Sequence, residues 1–141
     1  MTSDLKHRVV KANQALATSG LVSLTWGNVS AIDHKSGLIA IKPSGVPYQE
    51  LTIENIVILN LEGVQIEGDL RPSSDTNTHL ELYRHFKGIG GIVHTHSPNA
   101  TAFAQALVEL PCLGTTHADH FYGSVPVARP LTPQELSLIH I

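Results

Sequence analysis

Residues 90–98 read GGIVHTHSP, an apolar run that ends in two histidines. With Gly91 to Thr95 extended, side chains alternate between faces, so His94 and His96 at i and i+2 point the same way. Two imidazoles in one small volume need a group that accepts their lone pairs or balances their charge, because burying both rings without partners is costly. A metal ion meets that need. Two histidines hydrogen-bonded near a surface meet it as well, and the spacing alone leaves both readings open.

Working outward, the elements alternate without a linker, a repeat or a low-complexity tract. Asp4 is placed to cap a first helix whose apolar positions Leu5, Val9, Ala12, Ala15 and Leu16 recur every three to four residues, and Gly20 is placed to stop it. Strands are predicted at Leu21 to Thr25, Val29 to Asp33, Leu38 to Ile41, Ile56 to Leu61 and Val64 to Glu67. Short loops join most of them, which favours antiparallel hairpins. The polar stretch RPSSDTNTH leads into a helix carrying Leu80, Leu82, Tyr83 and Phe86, ended by Gly88 and Gly90 before the strand Gly91 to Thr95. Pro98 starts a further helix through Leu107, and Val125 to Ala128 reads as a strand. Thr132-Pro133-Gln134-Glu135 is a capping box with only six residues after it, so the chain reads as a piece of a longer protein, with 136–141 as a non-native tail.

The bulk composition sets bounds. The 141 residues, 42% hydrophobic and 15% charged, suit one globular domain with a sizeable core. A net charge of −3 without a basic run argues against nucleic acid as a partner. Cys112 is the single cysteine, which excludes an internal disulfide framework. The N-terminus MTSDLKHRVV has no apolar core of signal-peptide length, and no stretch of eighteen apolar residues occurs, so a cytoplasmic protein without a membrane span is expected. Six of the nine histidines fall between His79 and His120, a modest pointer to metal.

Three further stretches have side chains suited to chemistry, each with a plain structural alternative. In Thr25-Trp26-Gly27-Asn28-Val29-Ser30, glycine permits close backbone approach and Asn28 both donates and accepts, although a simple bulge or turn uses the same residues. Lys42-Pro43-Ser44-Gly45 combines a cation, a hydroxyl and glycine amides that suit a phosphate, yet it is also an ordinary way to leave a strand. Pro72 to His79 opens a helix, where unpaired amides favour an anion and Asp75 can reach a neighbouring metal; Ser, Thr and Asp are also the usual helix caps.

Taken together and in order, TWGNVS, KPSG, PSSDT, GGIVHTH and GTTHADHFYG resemble the bacterial L-ribulose-5-phosphate 4-epimerases of the class II aldolase and epimerase family, over about residues 4 to 135. The resemblance implies a three-layer α/β/α fold with a central, mostly antiparallel sheet, of which residues 1–141 are a single N-terminal domain portion, incomplete at the C-terminus. It implies a homotetramer with sites at subunit interfaces, and one divalent cation per subunit, usually Zn(2+), held by three histidines, of which the first two correspond to His94 and His96. Gly27, Asn28, Ser44, Gly45, Ser73 and Ser74 would bind the sugar phosphate, Asp75 would sit beside the metal, and Asp119 would be a catalytic acid/base. Sugar-phosphate aldolases of this family usually carry Glu where this chain has Asp75, and epimerases carry Asp followed by Thr, as in Asp75-Thr76.

Such residue types belong together for a chemical reason. A hydroxyl-bearing carbon without an acidic proton can be inverted by breaking the adjacent carbon–carbon bond, turning the aldehyde over and re-forming the bond. A divalent cation stabilises the resulting charge, a carboxylate moves the hydroxyl proton, and the remote phosphate keeps the fragment from escaping. The implied activity is inversion of C4 of L-ribulose 5-phosphate to D-xylulose 5-phosphate. The alternatives are a class II sugar-phosphate aldolase, or an incomplete fragment acting only as a metal- or phosphate-binding module. His120 stands where relatives often have tyrosine. The family's third metal histidine and its second acid, a tyrosine, belong to a region absent from this sequence; His117, His120, Tyr48, Tyr83 and Tyr122 do not match them.

Overall fold

A computed structural model describes residues 2–130, Thr132 and Pro133. These divide into two compact units, residues 1–95 and 96–141.

The first unit is a five-stranded sheet with a helix on each face. Helix α1 (Thr2–Thr18) is followed by β1 (Asn28–Asp33), β2 (Leu38–Ile41), a 3₁₀ turn at Tyr48–Glu50, β3 (Val57–Leu59), β4 (Gln65–Glu67), α2 (Thr76–His85) and β5 (Gly91–His94). The strand order is β4-β3-β2-β1-β5, and every pairing is antiparallel. Register explains the layering. Ala31 faces Ala40, and Ala40 faces Ile58, so these three share one face and pack with Leu5 and Val9 of α1. Ile32 pairs with Ile39 on the opposite face, where Leu80 and Tyr83 of α2 cover them. Each such fully buried aliphatic or aromatic side chain contributes about 1.5–3 kcal/mol. The expected α/β/α class with an antiparallel sheet is therefore the fold observed.

One polar residue interrupts the apolar stripe of α1. Asn13 is fully buried; its amide donates to the carbonyls of Val9 (2.8 Å) and Val29 (3.1 Å), and its Oδ1 accepts from the Val29 N–H at 2.9 Å. β2 pairs with β1 only from Ser30 onward, so this side chain satisfies Val29 where β2 does not reach it and fixes where β1 begins.

The second unit has α3 (Pro98–Gln105) and α4 (Thr115–His120), with a single bridge between Leu110 and Val125 among the described residues. No helix among the described residues is long and apolar enough to cross a membrane.

Several local expectations are corrected. Leu21 to Thr25 is not a strand: Trp26 N–H closes a turn on Ser23 O, and Leu24 takes a positive φ of 54°, which no ladder accommodates. Val125 to Ala128 stops at the one bridge because Pro126 has no N–H to extend it. The strand at 56–61 shortens to Val57–Leu59 and the one at 64–67 to Gln65–Glu67, with a bulge between them. The strand expected at Gly91 to Thr95 ends at His94, so His96 lies beyond the alternation that was to align the two rings. α1 begins at Thr2, and Asp4 sits in its first turn rather than capping it. α4 and the 3₁₀ turn were not foreseen. Gln134 and Glu135 of the capping box and the tail 136–141 lie outside the described residues.

Candidate active site

β1 starts with Asn28, whose register partner on β5 is His94, the last residue of that strand. The pair lies on the sheet face that α2 covers, and the N-terminus of α2 brings Asp75 to it. Asp75 occupies the helix-capping position, but its side chain makes no capping hydrogen bond. Instead, Oδ2 accepts from Asn28 Nδ2 at 2.6 Å, lies 3.0 Å from His94 Nδ1, and is 3.4 Å from Ser73 Oγ. The helix loses a cap worth about 1 kcal/mol, so the local preference for Asp as a cap is not what places this carboxylate. Ser73 takes part of the vacated role, with its carbonyl accepting from Thr76 N–H and Oγ1.

Electrostatics follow from the contact. The His94 ring beside it holds the Asp75 carboxyl below its ordinary value, against the opposing effect of burial, and Asp75 in turn raises the His94 ring. With its Nδ1 proton directed at Asp75, a neutral His94 carries its lone pair on Nε2, the arrangement in which a carboxylate orients a metal-binding imidazole. Imidazole nitrogen and carboxylate oxygen are donors that suit zinc. Asp75 and His94 are two such donors in contact. Among the described residues, no group of three or more His, Cys, Asp or Glu side chains is placed to hold a metal ion.

Next to them, Asn28 is 2% exposed, and its Oδ1 is buried without a hydrogen-bond partner among the described residues. Buried acceptors are rarely left so, and the amide on the same side chain is already engaged with Ser73 and Asp75. The KPSG and PSS stretches run side by side: Ser44 N–H donates to Arg71 O at 2.9 Å, and Ser73 N–H to Lys42 O at 3.2 Å. Ser44, Gly45 and Ser74 lie nearer the surface, while Ser73 is buried. Gly27 has φ +80°, and a Cβ there would meet Val22 Cγ1 at 2.5 Å and His94 O at 2.9 Å. Only glycine allows this turn to approach the end of β5.

Beneath this cluster is a second polar group that sequence reasoning missed. Ser30 Oγ lies 2.7 Å from His79 Nδ1 and 2.8 Å from Tyr83 OH, all three buried between the sheet and α2. Burial pushes the His79 ring down to about 4, with only partial opposition from Asp75, and pushes the Tyr83 phenol up to about 12, so both are neutral near pH 7. A polar residue two positions after Asn28 shares its face, which was the available signal; the helix spacing of His79 and Tyr83 completes it.

His96 and Asp119 belong to the second unit, where both are exposed, Asp119 on α4. On the same helix His117 Nε2 lies 3.0 Å from Gly123 O, and His120 Nδ1 lies 2.9 Å from Thr116 O. Of the nominated residues, Asn28, Ser73, Asp75 and His94 are therefore in direct contact, and Gly27 abuts them.

Comparison with known proteins identifies the fold's family. Residues 7–139 match the class II aldolase and adducin N-terminal domain. An L-fuculose 1-phosphate aldolase superposes with a TM-score of 0.85 at 32% identity, over 92% of this chain and 60% of that one. L-fuculose-1-phosphate aldolase from Thermus thermophilus gives 0.77 at 31% identity, over 99% and 70%. YgbL from Klebsiella pneumoniae, a candidate aldolase/epimerase/decarboxylase, gives 0.80 at 26%, over 99% and 69%. The chain thus spans 60% of the length of the first of these relatives. On the match over nearly all of its length, the chain belongs to the class II aldolase and adducin N-terminal domain family.

Proposed function

We propose that the full-length protein is a metal-dependent enzyme that breaks and re-forms a carbon–carbon bond in a sugar phosphate, and that its reaction is inversion of L-ribulose 5-phosphate at C4. The observation that carries this is the Asp75 carboxylate, turned from its own helix to His94 and Asn28, so that one carboxylate ties a metal-type ligand to a substrate-type amide. Asp75-Thr76 supports epimerisation over aldol cleavage.

In this reading His94 and His96 hold a divalent cation, Zn(2+), with Asp75 beside it. The cation, when bound, acts as a Lewis acid on the oxygens of the ketose. Asp75 fixes the tautomer and direction of the His94 ring. Gly27, Asn28, Ser44, Gly45, Ser73 and Ser74 hold the sugar phosphate through side-chain and backbone hydrogen bonds, with Asn28 Oδ1 left to accept a donor from the same substrate. Asp119 takes the C4 hydroxyl proton as the bond breaks and returns it as the bond re-forms. The reading extends to a homotetramer in the cytoplasm.

A second reading, a class II aldolase releasing its aldehyde, is favoured by the L-fuculose-1-phosphate aldolases at 31% and 32% identity. One experiment separates them. The full-length protein is dialysed, its metal is measured, and it is given L-ribulose 5-phosphate labelled in the phosphate-bearing fragment. Epimerisation without free labelled aldehyde supports the proposal, accumulation of the aldehyde supports the aldolase, and neither in metal-replete protein refutes both.

A further inference from the structure

The buried Tyr48 is not among the residues nominated for chemistry, yet its hydroxyl grips the turn that leads into them. It is 3% exposed, on the 3₁₀ turn after KPSG, and its OH lies 2.9 Å from both Trp26 O and Gly27 O. One phenol proton shared between two successive carbonyls fixes two peptide planes, Trp26–Gly27 and Gly27–Asn28. Because each peptide is planar and trans, the N–H on its far side is fixed in the opposite direction. The Gly27 N–H must therefore point away from Tyr48, and the Cα of Asn28 is held at the position from which its side chain meets Ser73 and Asp75.

The brace is itself held. Lys42, 1% exposed, places Nζ 4.9 Å from the centre of the Tyr48 ring and 3.4 Å from Thr25 O. Carbonyls of three consecutive residues, Thr25, Trp26 and Gly27, are thus tied by two buried side chains. Burial raises the Tyr48 phenol, which keeps it a donor at any working pH. A turn needing only stability would not require a phenol shared between the two carbonyls that precede Asn28, since Gly27 already adopts the positive φ without strain.

We infer that Tyr48 is a positioning residue for the phosphate end of the site: by holding the Trp26–Gly27 and Gly27–Asn28 peptides it sets the affinity for a phosphate group that it does not itself touch. This rests on the reading of Gly27 and Asn28 as phosphate-binding residues. The test uses the full-length, metal-loaded protein with inorganic phosphate as the titrant in calorimetry, comparing wild type, Tyr48→Phe and Asn28→Ala, with a melting curve and metal content on each sample. Tyr48→Phe keeps the ring and its position beneath Lys42 and removes only the hydroxyl. Loss of the hydrogen bond to the Trp26 and Gly27 carbonyls corresponds to about a tenfold weaker Kd for phosphate, with metal content unchanged. If Asn28→Ala weakens phosphate while Tyr48→Phe binds it as wild type does, the inference is overturned and the site reading stands. If Tyr48→Phe does not fold, its role is structural and the inference is overturned. If wild type binds no phosphate, or Asn28→Ala binds it equally well, the inference and the reading of the site fail together.

Discussion

His79 makes the stability of the fold depend on pH in a way that one substitution isolates. Its ring is 2% exposed and bonded to Ser30, with its pKa lowered from 6.5 to about 4 mainly by burial. Above pH 6.5 the ring is neutral whether the chain is folded or not. As pH falls toward about 4, the unfolded ring takes up a proton that the folded one refuses, so folding loses free energy throughout that window and nothing further below it. At about 1.36 kcal/mol per pH unit the complete loss is about 3 kcal/mol, of which about 2 kcal/mol falls between about pH 7.5 and pH 5. Urea unfolding of wild type and His79→Asn at those two pH values measures it. The variant is expected to be less stable than wild type at the higher pH, because the site is repacked, and to lose about 2 kcal/mol less than wild type on acidification. Asp75 and His94 titrate in both proteins, with Asp75 stabilising above its unfolded value and His94 below its own, so what remains of them in the difference is their Coulombic coupling to His79, which ranks below burial as the cause of the His79 shift. Equal losses in the two proteins would refute the claim that His79 is folded in its neutral form.

Three other substitutions probe other nominated residues. Gly27→Ala places a Cβ 2.9 Å from His94 O at a φ of +80°, and is expected to cost about 2–4 kcal/mol by chemical denaturation; a neutral change would mean that the turn is free to move off β5. His94→Ala in the full-length protein should abolish metal retention and activity together, read by elemental analysis and an epimerisation assay on one sample, and activity in metal-free variant protein would sink the metal role. Asp119→Asn should leave metal content unchanged and slow epimerisation by about 10²- to 10⁴-fold, the usual range for a lost acid/base; loss of metal instead would mean that its role is misassigned.

How far these residues can be read from sequence depends on whether a local rule or a distant partner places them. The antiparallel hairpins were legible from apolar runs joined by short loops, and α1 from the helical stripe of Leu5, Val9 and Leu16, whereas the three-layer arrangement was implied only by the resemblance, because β1, β2 and β3 are buried almost continuously and carry no alternation that assigns their faces. Leu21 to Thr25 has strand-like composition and still forms a turn, since the bond that decides it is Trp26 N–H to Ser23 O, set by a backbone that must deliver Gly27 against His94. Asn13 could have been noticed as a polar side chain on the buried stripe of α1, though not that it satisfies Val29, sixteen residues away. The buried Ser30, His79 and Tyr83 trio and the Tyr48 brace are contacts across 21 to 53 positions, which no periodicity encodes.

Asp75 shows why the site was harder to read than the fold. By propensity it is a helix cap, and a sequence argument has no ground to reject that reading, because Ser, Thr and Asp recur at helix starts for purely local reasons. The structure separates the alternatives: the capping position is filled, yet the carboxylate leaves the helix amides and takes donors from two strands. A side chain that forgoes its local interaction for a cluster with one unsatisfied buried acceptor, Asn28 Oδ1, gives up stability that a ligand can return. Gly27 differs, because its positive φ is unstrained for glycine and it is the close approach to the end of β5 that excludes any other residue. Local preferences are overridden where Asn28, Asp75 and His94 meet, and kept along the helical and strand stripes that make the core. Function on this chain is therefore better sought at residues that break their local rule than at those with the chemically richest side chains, such as His85, which rests against Glu81 within a single helix.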